Sequence, residues 1–99
     1  MQTIRQGDLL LVAAFPDLDF PAASRLHTLA VGEESGHSHV IEAQLATANG
    51  RRYVHLNKPS TLRIEGMPWR HEPITIPPGT WEVRIQREYT PEGIRQVVD

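Results

Sequence analysis

Two histidines one residue apart, followed three positions later by a carboxylate, are the residues whose types and spacing best fit chemistry. They occur in the segment Gly36-His37-Ser38-His39-Val40-Ile41-Glu42. Side chains two positions apart on a β-strand point to the same face, so His37 and His39 would present two imidazoles side by side. Neutral imidazoles are common ligands of divalent transition metal ions. The spacing therefore predicts a metal site.

The composition narrows the other classes of function. The net charge of -2 at pH 7 and the 6% aromatic content argue against a nucleic-acid-binding surface. The chain has no cysteine, so a metal ion would be held by histidine, aspartate or glutamate. The longest apolar run, from Leu9 to Phe15, is too short to span a bilayer. We expect one small cytoplasmic domain over residues 1–99 that does not bind membranes.

The apolar residues recur mostly at every second position, which indicates β-strands. Prolines and glycines punctuate the chain, and Pro77-Pro78-Gly79 predicts a turn that pairs the strands on its two sides. Near the C-terminus, Thr90-Pro91-Glu92 resembles a helix start, and Ile94, Val97 and Val98 follow at helical spacing. The pattern predicts an all-β fold: a compact antiparallel β-barrel or two-sheet sandwich with a short C-terminal helix.

The hairpin at Asn49-Gly50 determines which way the histidines point. Both residues tolerate the positive φ that a type I′ turn requires. Folding the chain there opposes Leu45 to Val54 and places apolar residues of both strands on one face. Because His37 and His39 share the parity of Leu45, we expect both imidazoles to face the barrel interior.

Two inward imidazoles require a third ligand to hold a metal ion. The candidates are His71, Glu72, His55, Glu42 and His27. The hairpin register puts His55 on the outer face. Glu42 follows His39 by three residues and therefore also points outward unless a bulge intervenes.

The remaining pair occurs in Trp69-Arg70-His71-Glu72-Pro73. Regular pairing across the Pro78-Gly79 turn would point Glu72 inward and His71 outward, but Pro73 favours an irregular strand that lets His71 turn in. We predict a divalent metal ion (zinc, iron, nickel or manganese) held by His37 and His39, with His71 as the first choice of third ligand and Glu72 as the second.

The Gly-x-His-x-His start, the later Pro-x-Gly turn and the all-β pattern resemble a reduced cupin, a small β-barrel that holds a metal ion with three histidines and a glutamate. The family's glutamate follows the second histidine by four or five residues, whereas Glu42 follows His39 by three. The position of the family's last histidine is Glu82 here. The resemblance therefore implies metal-binding roles for His37 and His39 alone. The chain also resembles short bacterial and phage proteins of unassigned function that share its GHxH, PPG and REY segments.

Two other functions fit the same residues. The barrel can be an interaction or oligomerisation module in which the histidines are structural and the C-terminal apolar residues dock on a partner or a second copy. Alternatively, the two imidazoles can protonate together in mild acid and repel each other, which makes the strand a pH-responsive element. The sequence does not assign a reaction or a substrate.

Overall fold

A computed structural model describes residues 2–31, 37–66, 72–90 and 93–96, and within these ranges the chain forms β-strands and no helix. The strands are β1 (Thr3–Gln6), β2 (Leu9–Ala13), β3 (Arg25–Val31), β4 (Ser38–Ala48), β5 (Arg51–Leu56), β6 (Ser60–Glu65), β7 (Ile74–Ile76), β8 (Gly79–Ile85), β9 (Arg87–Thr90) and β10 (Gly93–Gln96). The all-β prediction is confirmed. The described part of the chain contains no helix long and apolar enough to cross a membrane.

The main sheet is antiparallel and curls into a nearly closed barrel. Its strand order is β1-β2-β8-β5-β4-β6-β7, and β3 pairs with β4. Both β5 and β6 pair with the long strand β4, and β8 and β7 pair with β5 and β6 in turn. The chain therefore bends between β5 and β6 and again between β7 and β8, which carries the sheet around the core.

The Asn49-Gly50 hairpin forms as predicted. Asn49 has φ 53° and Gly50 has φ 75°, the pair of positive values that a type I′ turn requires. Leu45 opposes Val54, in the register expected from the sequence. Because this register fixes the parity of β4, it also fixes the direction of the histidines at its start.

The hairpin predicted across Pro77-Pro78-Gly79 is wrong. Strand β7 pairs with β6, and β8 pairs with β5, so the two strands flanking the prolines do not pair with each other. Two consecutive prolines lack the N–H groups that a ladder needs, and the chain uses them to change partner strand. The indole Nε1 of Trp81 donates a hydrogen bond to the carbonyl of Pro77 at 3.2 Å, which fastens the corner to the core.

The C-terminal helix is also corrected. Residues 93–96 form strand β10, which pairs with β9 in a separate two-stranded sheet, with Thr90 opposite Gly93. A threonine followed by a proline is compatible with a turn as well as with a helix start, so this local pattern does not require a helix. Val97 and Val98, which were predicted to continue the helix, lie outside the described residues.

The core consists of apolar side chains from seven of the strands. Its most buried members are Leu9, Leu11, Leu29, Ile41, Val54, Leu62, Ile76 and Trp81. Alternate residues of β8 lie on the other face, where the Glu82 carboxylate accepts hydrogen bonds from Arg84 at 2.8 and 3.2 Å. The hydrogen bond from Arg84 lowers the pKa of Glu82 below its usual value, and partial burial of the carboxylate opposes that shift. Glu82 is thus part of an outer-face ion pair, as its parity predicts.

Candidate functional site

Gln6, Asp8, His37 and His39 are buried polar residues, and contacts join Gln6 and Asp8 to His39. The exposed fraction is 0% for Asp8, His37 and His39, and 3% for Gln6. The burial of both histidines agrees with the inward orientation that the sequence predicts. Asp8, His37 and His39 also make interactions beyond those described below. A buried group of this polarity is costly unless its hydrogen bonds and charges are matched, so its arrangement is informative.

The β1–β2 hairpin carries Gln6 and Asp8 into the barrel. Gln6 opposes Leu9, and the two residues between them form the turn, where Gly7 takes φ 60°. A positive φ at the first corner is typical of the turn that Gly-Asp sequences favour. The backbone N–H of Gln86 donates to the carbonyl of Asp8 at 2.8 Å. This hydrogen bond holds the turn against the end of β8, and it fixes the position of the Asp8 backbone from which the side chain extends.

The side-chain amide of Gln6 forms hydrogen bonds through both its NH₂ group and its oxygen. Its Nε2 donates to the backbone carbonyls of Leu62, at 3.1 Å, and Glu72, at 2.9 Å. Carbonyls accept hydrogen bonds only, so the NH₂ group must face them and Oε1 must face His39. Oε1 lies 2.9 Å from His39 Nδ1. His39 Nδ1 therefore carries the proton and donates it to Gln6.

The second nitrogen of His39 faces a carboxylate. Nε2 lies 3.4 Å from Oδ1 of Asp8, and both side chains are fully buried. Because Nδ1 is the donor, Nε2 of a neutral imidazole has a lone pair directed at this negative oxygen. A proton between these two atoms would make an imidazolium–carboxylate pair, and a metal ion there would have both atoms as ligands.

The 3.4 Å separation can be compared with the spacing that each of these two species would give. A hydrogen bond from nitrogen to oxygen is normally about 2.7–3.2 Å long. Two ligand atoms that are each about 2.1 Å from a metal ion lie about 3.4 Å apart in tetrahedral geometry and about 3.0 Å apart in octahedral geometry. The spacing of His39 Nε2 and Asp8 Oδ1 matches the tetrahedral edge. The hydrogen bond from Nδ1 to Gln6 is the outer contact that metal-binding histidines usually make.

The predicted companions of the histidine pair are distributed differently. Glu72 is exposed, and its backbone carbonyl rather than its carboxylate meets the cluster through Gln6, so the inward orientation given by a regular hairpin is not found. His71 lies outside the described residues. His55 and Glu42 lie on the outer face, as predicted, and His27 opposes Ile41 on β3. Among the described residues, no group of three or more His, Asp or Glu is arranged to hold a metal ion.

Sequence reasoning missed Gln6 and Asp8. Taken alone, Gly7-Asp8 before an apolar strand predicts a tight turn, and turn residues are usually exposed. The available signal is the cross-strand parity: a two-residue Gly-Asp turn opposes Gln6 to Leu9, which starts a fully apolar strand. A glutamine at an inward position next to a buried strand indicates a buried polar contact, because an amide is not placed there without partners.

Comparison with known proteins identifies a family. The model of a family described as a domain of unknown function, DUF8820, matches residues 5–86. That span begins just before Gln6 and ends just after β8, so it contains the barrel and all four buried polar residues and leaves out β9 and β10. No curated protein and no solved structure matches the chain. The chain belongs to the DUF8820 family.

Proposed function

We propose that this barrel binds a divalent metal ion between His39 and Asp8, with His37 beside them. The observation that carries the proposal is the 3.4 Å separation of two buried atoms, His39 Nε2 and Asp8 Oδ1, where the hydrogen bond from His39 Nδ1 to Gln6 leaves Nε2 facing the carboxylate. The separation is longer than an ordinary hydrogen bond from nitrogen to oxygen. A metal ion matches both the charge and the spacing.

The ligand types narrow the choice of metal. A set of imidazole nitrogens and a carboxylate oxygen suits zinc, iron, nickel or manganese. The tetrahedral spacing favours zinc, since manganese prefers octahedral sites rich in oxygen. His37, which lies two residues before His39 and is fully buried, is the next ligand we assign. His71 is the further ligand that the sequence predicts.

The proposal draws on the resemblance to cupins, since this is a small antiparallel barrel with a buried His-x-His pair, His39 on β4 and His37 one residue before that strand begins. Its carboxylate comes from the β1–β2 turn instead of a position shortly after the second histidine. A metal ion with an open coordination position polarises a bound oxygen or activates water. The cysteine-free composition favours a cytoplasmic setting for such a site.

Metal analysis of protein purified without a histidine tag tests the proposal. We expect close to one zinc ion per chain after dialysis against trace zinc, and loss of that zinc in the Asp8→Asn variant, which keeps the shape of the side chain. The exposed carboxylate variant Glu65→Gln is the control and should retain the metal. Equal, trace metal content in wild type and Asp8→Asn would overturn the proposal.

A second candidate function is self-association through β3. Among the described strands, β3 is paired with β4 alone, and it carries two large exposed hydrophobic residues, Leu26 (52% exposed) and Val31 (54%). An exposed strand edge with apolar side chains is a ready pairing surface for a second copy.

Light scattering coupled to size exclusion tests self-association. We expect a dimer in wild type and a monomer in the double variant Leu26→Lys/Val31→Lys. Phe15→Lys removes an exposed aromatic side chain outside β3 and should leave the dimer intact. A monomeric wild type at about 100 μM would rule out an interface of useful strength.

A further inference from the structure

A cleft on the outer face of the barrel is separate from the buried histidine site. It has a volume of about 500 Å³ and lies where the chain leaves β5 and enters β6, beside the middle of β4. Its polar lining includes Glu42, Gln44, His55, Asn57 and Lys58. Ligand pockets for small molecules are typically of this size.

A chain of hydrogen bonds fixes the polar floor of the cleft. The Gln44 amide NH₂ donates to the carbonyls of Pro21 and Ala22, so its Oε1 faces Asn57, whose Nδ2 donates to it at 3.4 Å. Asn57 Oδ1 then accepts from His55 Nε2 at 3.1 Å. The carbonyls of Pro21 and Ala22 can only accept hydrogen bonds, so they fix the orientation of the Gln44 amide. The Gln44 amide in turn fixes the orientation of the Asn57 amide.

At the other end of this series of hydrogen bonds, His55 contacts Thr80 and Phe20. His55 Nδ1 lies 2.8 Å from Thr80 Oγ1, and the Phe20 ring packs on the imidazole with centroids 5.5 Å apart. Since His55 donates from Nε2, its Nδ1 accepts from the threonine hydroxyl when the ring is neutral. The floor is therefore preorganised, which reduces the entropy cost of ordering side chains around a ligand.

Two opposite charges stand at this floor. Glu42 and Lys58 are both exposed and both line the cleft, and neither has an ion-pair partner within the described part of the chain. Lys58 is the only lysine of the sequence. A ligand with a single charge would face one favourable and one unfavourable group. A ligand with both charges and no net charge would satisfy the two together.

We infer that the cleft binds a small zwitterion, a free α-amino acid or a dipeptide, with its ammonium group toward Glu42 and its carboxylate toward Lys58. The amide groups of Gln44 and Asn57 supply further donors and acceptors for the body of the ligand. The inference does not depend on the metal proposal, because Gln6, Asp8, His37 and His39 do not line the cleft.

The single lysine allows a direct test. Reductive methylation with ¹³C-formaldehyde labels Lys58 and the N-terminal amine while keeping their charges. Titration with L-alanine, L-glutamine and alanyl-alanine should move the Lys58 methyl signal and the backbone amides of residues 42–61. The matched probes N-acetyl-L-alanine and L-alaninamide each lack one charge and should bind about tenfold more weakly, since a charged hydrogen bond contributes roughly that factor.

Paired variants assign the two charges. Glu42→Gln should weaken the unblocked ligands about tenfold and leave L-alaninamide as the more affected blocked probe, whereas Lys58→Gln should affect N-acetyl-L-alanine more. Glu65→Gln and Arg63→Gln alter an exposed ion pair away from the cleft and should change nothing. The inference is overturned if none of the zwitterions moves the Lys58 signal at about 20 mM, or if blocked and unblocked probes bind equally.

Discussion

We expect His39→Ala to abolish the thermal stabilisation that zinc gives the wild-type protein. A ligand that binds only the folded state stabilises it by about 2.7 kcal/mol at a concentration a hundredfold above its Kd. For a domain of this length that corresponds to a rise in Tm of roughly 10–20 °C. Without the imidazole, Nε2 is no longer available as a ligand, so the rise should fall to about 1–2 °C.

The same variant should also be less stable when a chelator is present. Removing one partner of a fully buried pair leaves the Asp8 carboxylate without the imidazole beside it, which typically costs about 3–5 kcal/mol. Asp8→Asn removes the charge and keeps the shape, so it should cost less in chelator and still lose the zinc-dependent rise. That variant keeps the prediction testable if His39→Ala does not fold.

His55→Ala is the matched control for this experiment. His55 also has both ring nitrogens in side-chain hydrogen bonds, to Thr80 and Asn57, but it lies on the outer face of the barrel. Its loss should lower Tm in chelator and leave the zinc-dependent rise unchanged. A rise of equal size in wild type and His39→Ala would place the metal elsewhere on the chain and contradict the proposed site.

Local patterns in the sequence predicted which way the two histidines point but not which residues lie beside them. The Asn49-Gly50 turn sets the register of β4 and β5, and the parity counted back from it predicts inward positions for His37 and His39, both of which are buried. Both facts depend on neighbours within one hairpin. The partners Gln6 and Asp8 reach His39 from a hairpin some thirty residues earlier, and the way the sheet curls decides which strand faces which across a barrel.

The two wrong predictions have a common origin. Pro77-Pro78-Gly79 and Thr90-Pro91-Glu92 are local signals for a change of direction, and each is compatible with more than one continuation. In the first case the flanking strands take partners elsewhere in the sheet, and in the second the flanking residues pair with each other. Pairing between strands, which the local sequence does not show, determines which path the chain takes after each of these segments.

Gln6→Glu should be strongly destabilising although it replaces one atom. The amide NH₂ of Gln6 donates to the carbonyls of Leu62 and Glu72, and a carboxylate would instead direct a negative oxygen at both. To donate there, the introduced carboxyl must be protonated. Holding a carboxyl with an ordinary pKa near 4.3 in its neutral form at pH 7 costs about 3.7 kcal/mol. We expect a loss of roughly 3–4 kcal/mol at pH 7 in chelator.

The sign of the pH dependence separates this explanation from a simple packing defect. The introduced carboxyl would have a folded-state pKa above its unfolded value, so the folded state binds more protons between those two values. The free energy of unfolding of the variant, relative to wild type, should therefore be least affected near pH 4 and should decline as pH rises toward 7. Urea unfolding of both proteins at several pH values measures this difference.

Gln44→Glu is the control, because Gln44 also donates from its amide to two backbone carbonyls, those of Pro21 and Ala22, at an exposed position. Water can solvate a carboxylate there, so the cost should be about 1 kcal/mol or less, with little dependence on pH. A Gln6→Glu variant as stable as Gln44→Glu would mean that Gln6 does not donate to two buried carbonyls. Its Oε1 would then no longer be required to accept from His39 Nδ1, and the lone pair assigned to Nε2 would lose its basis.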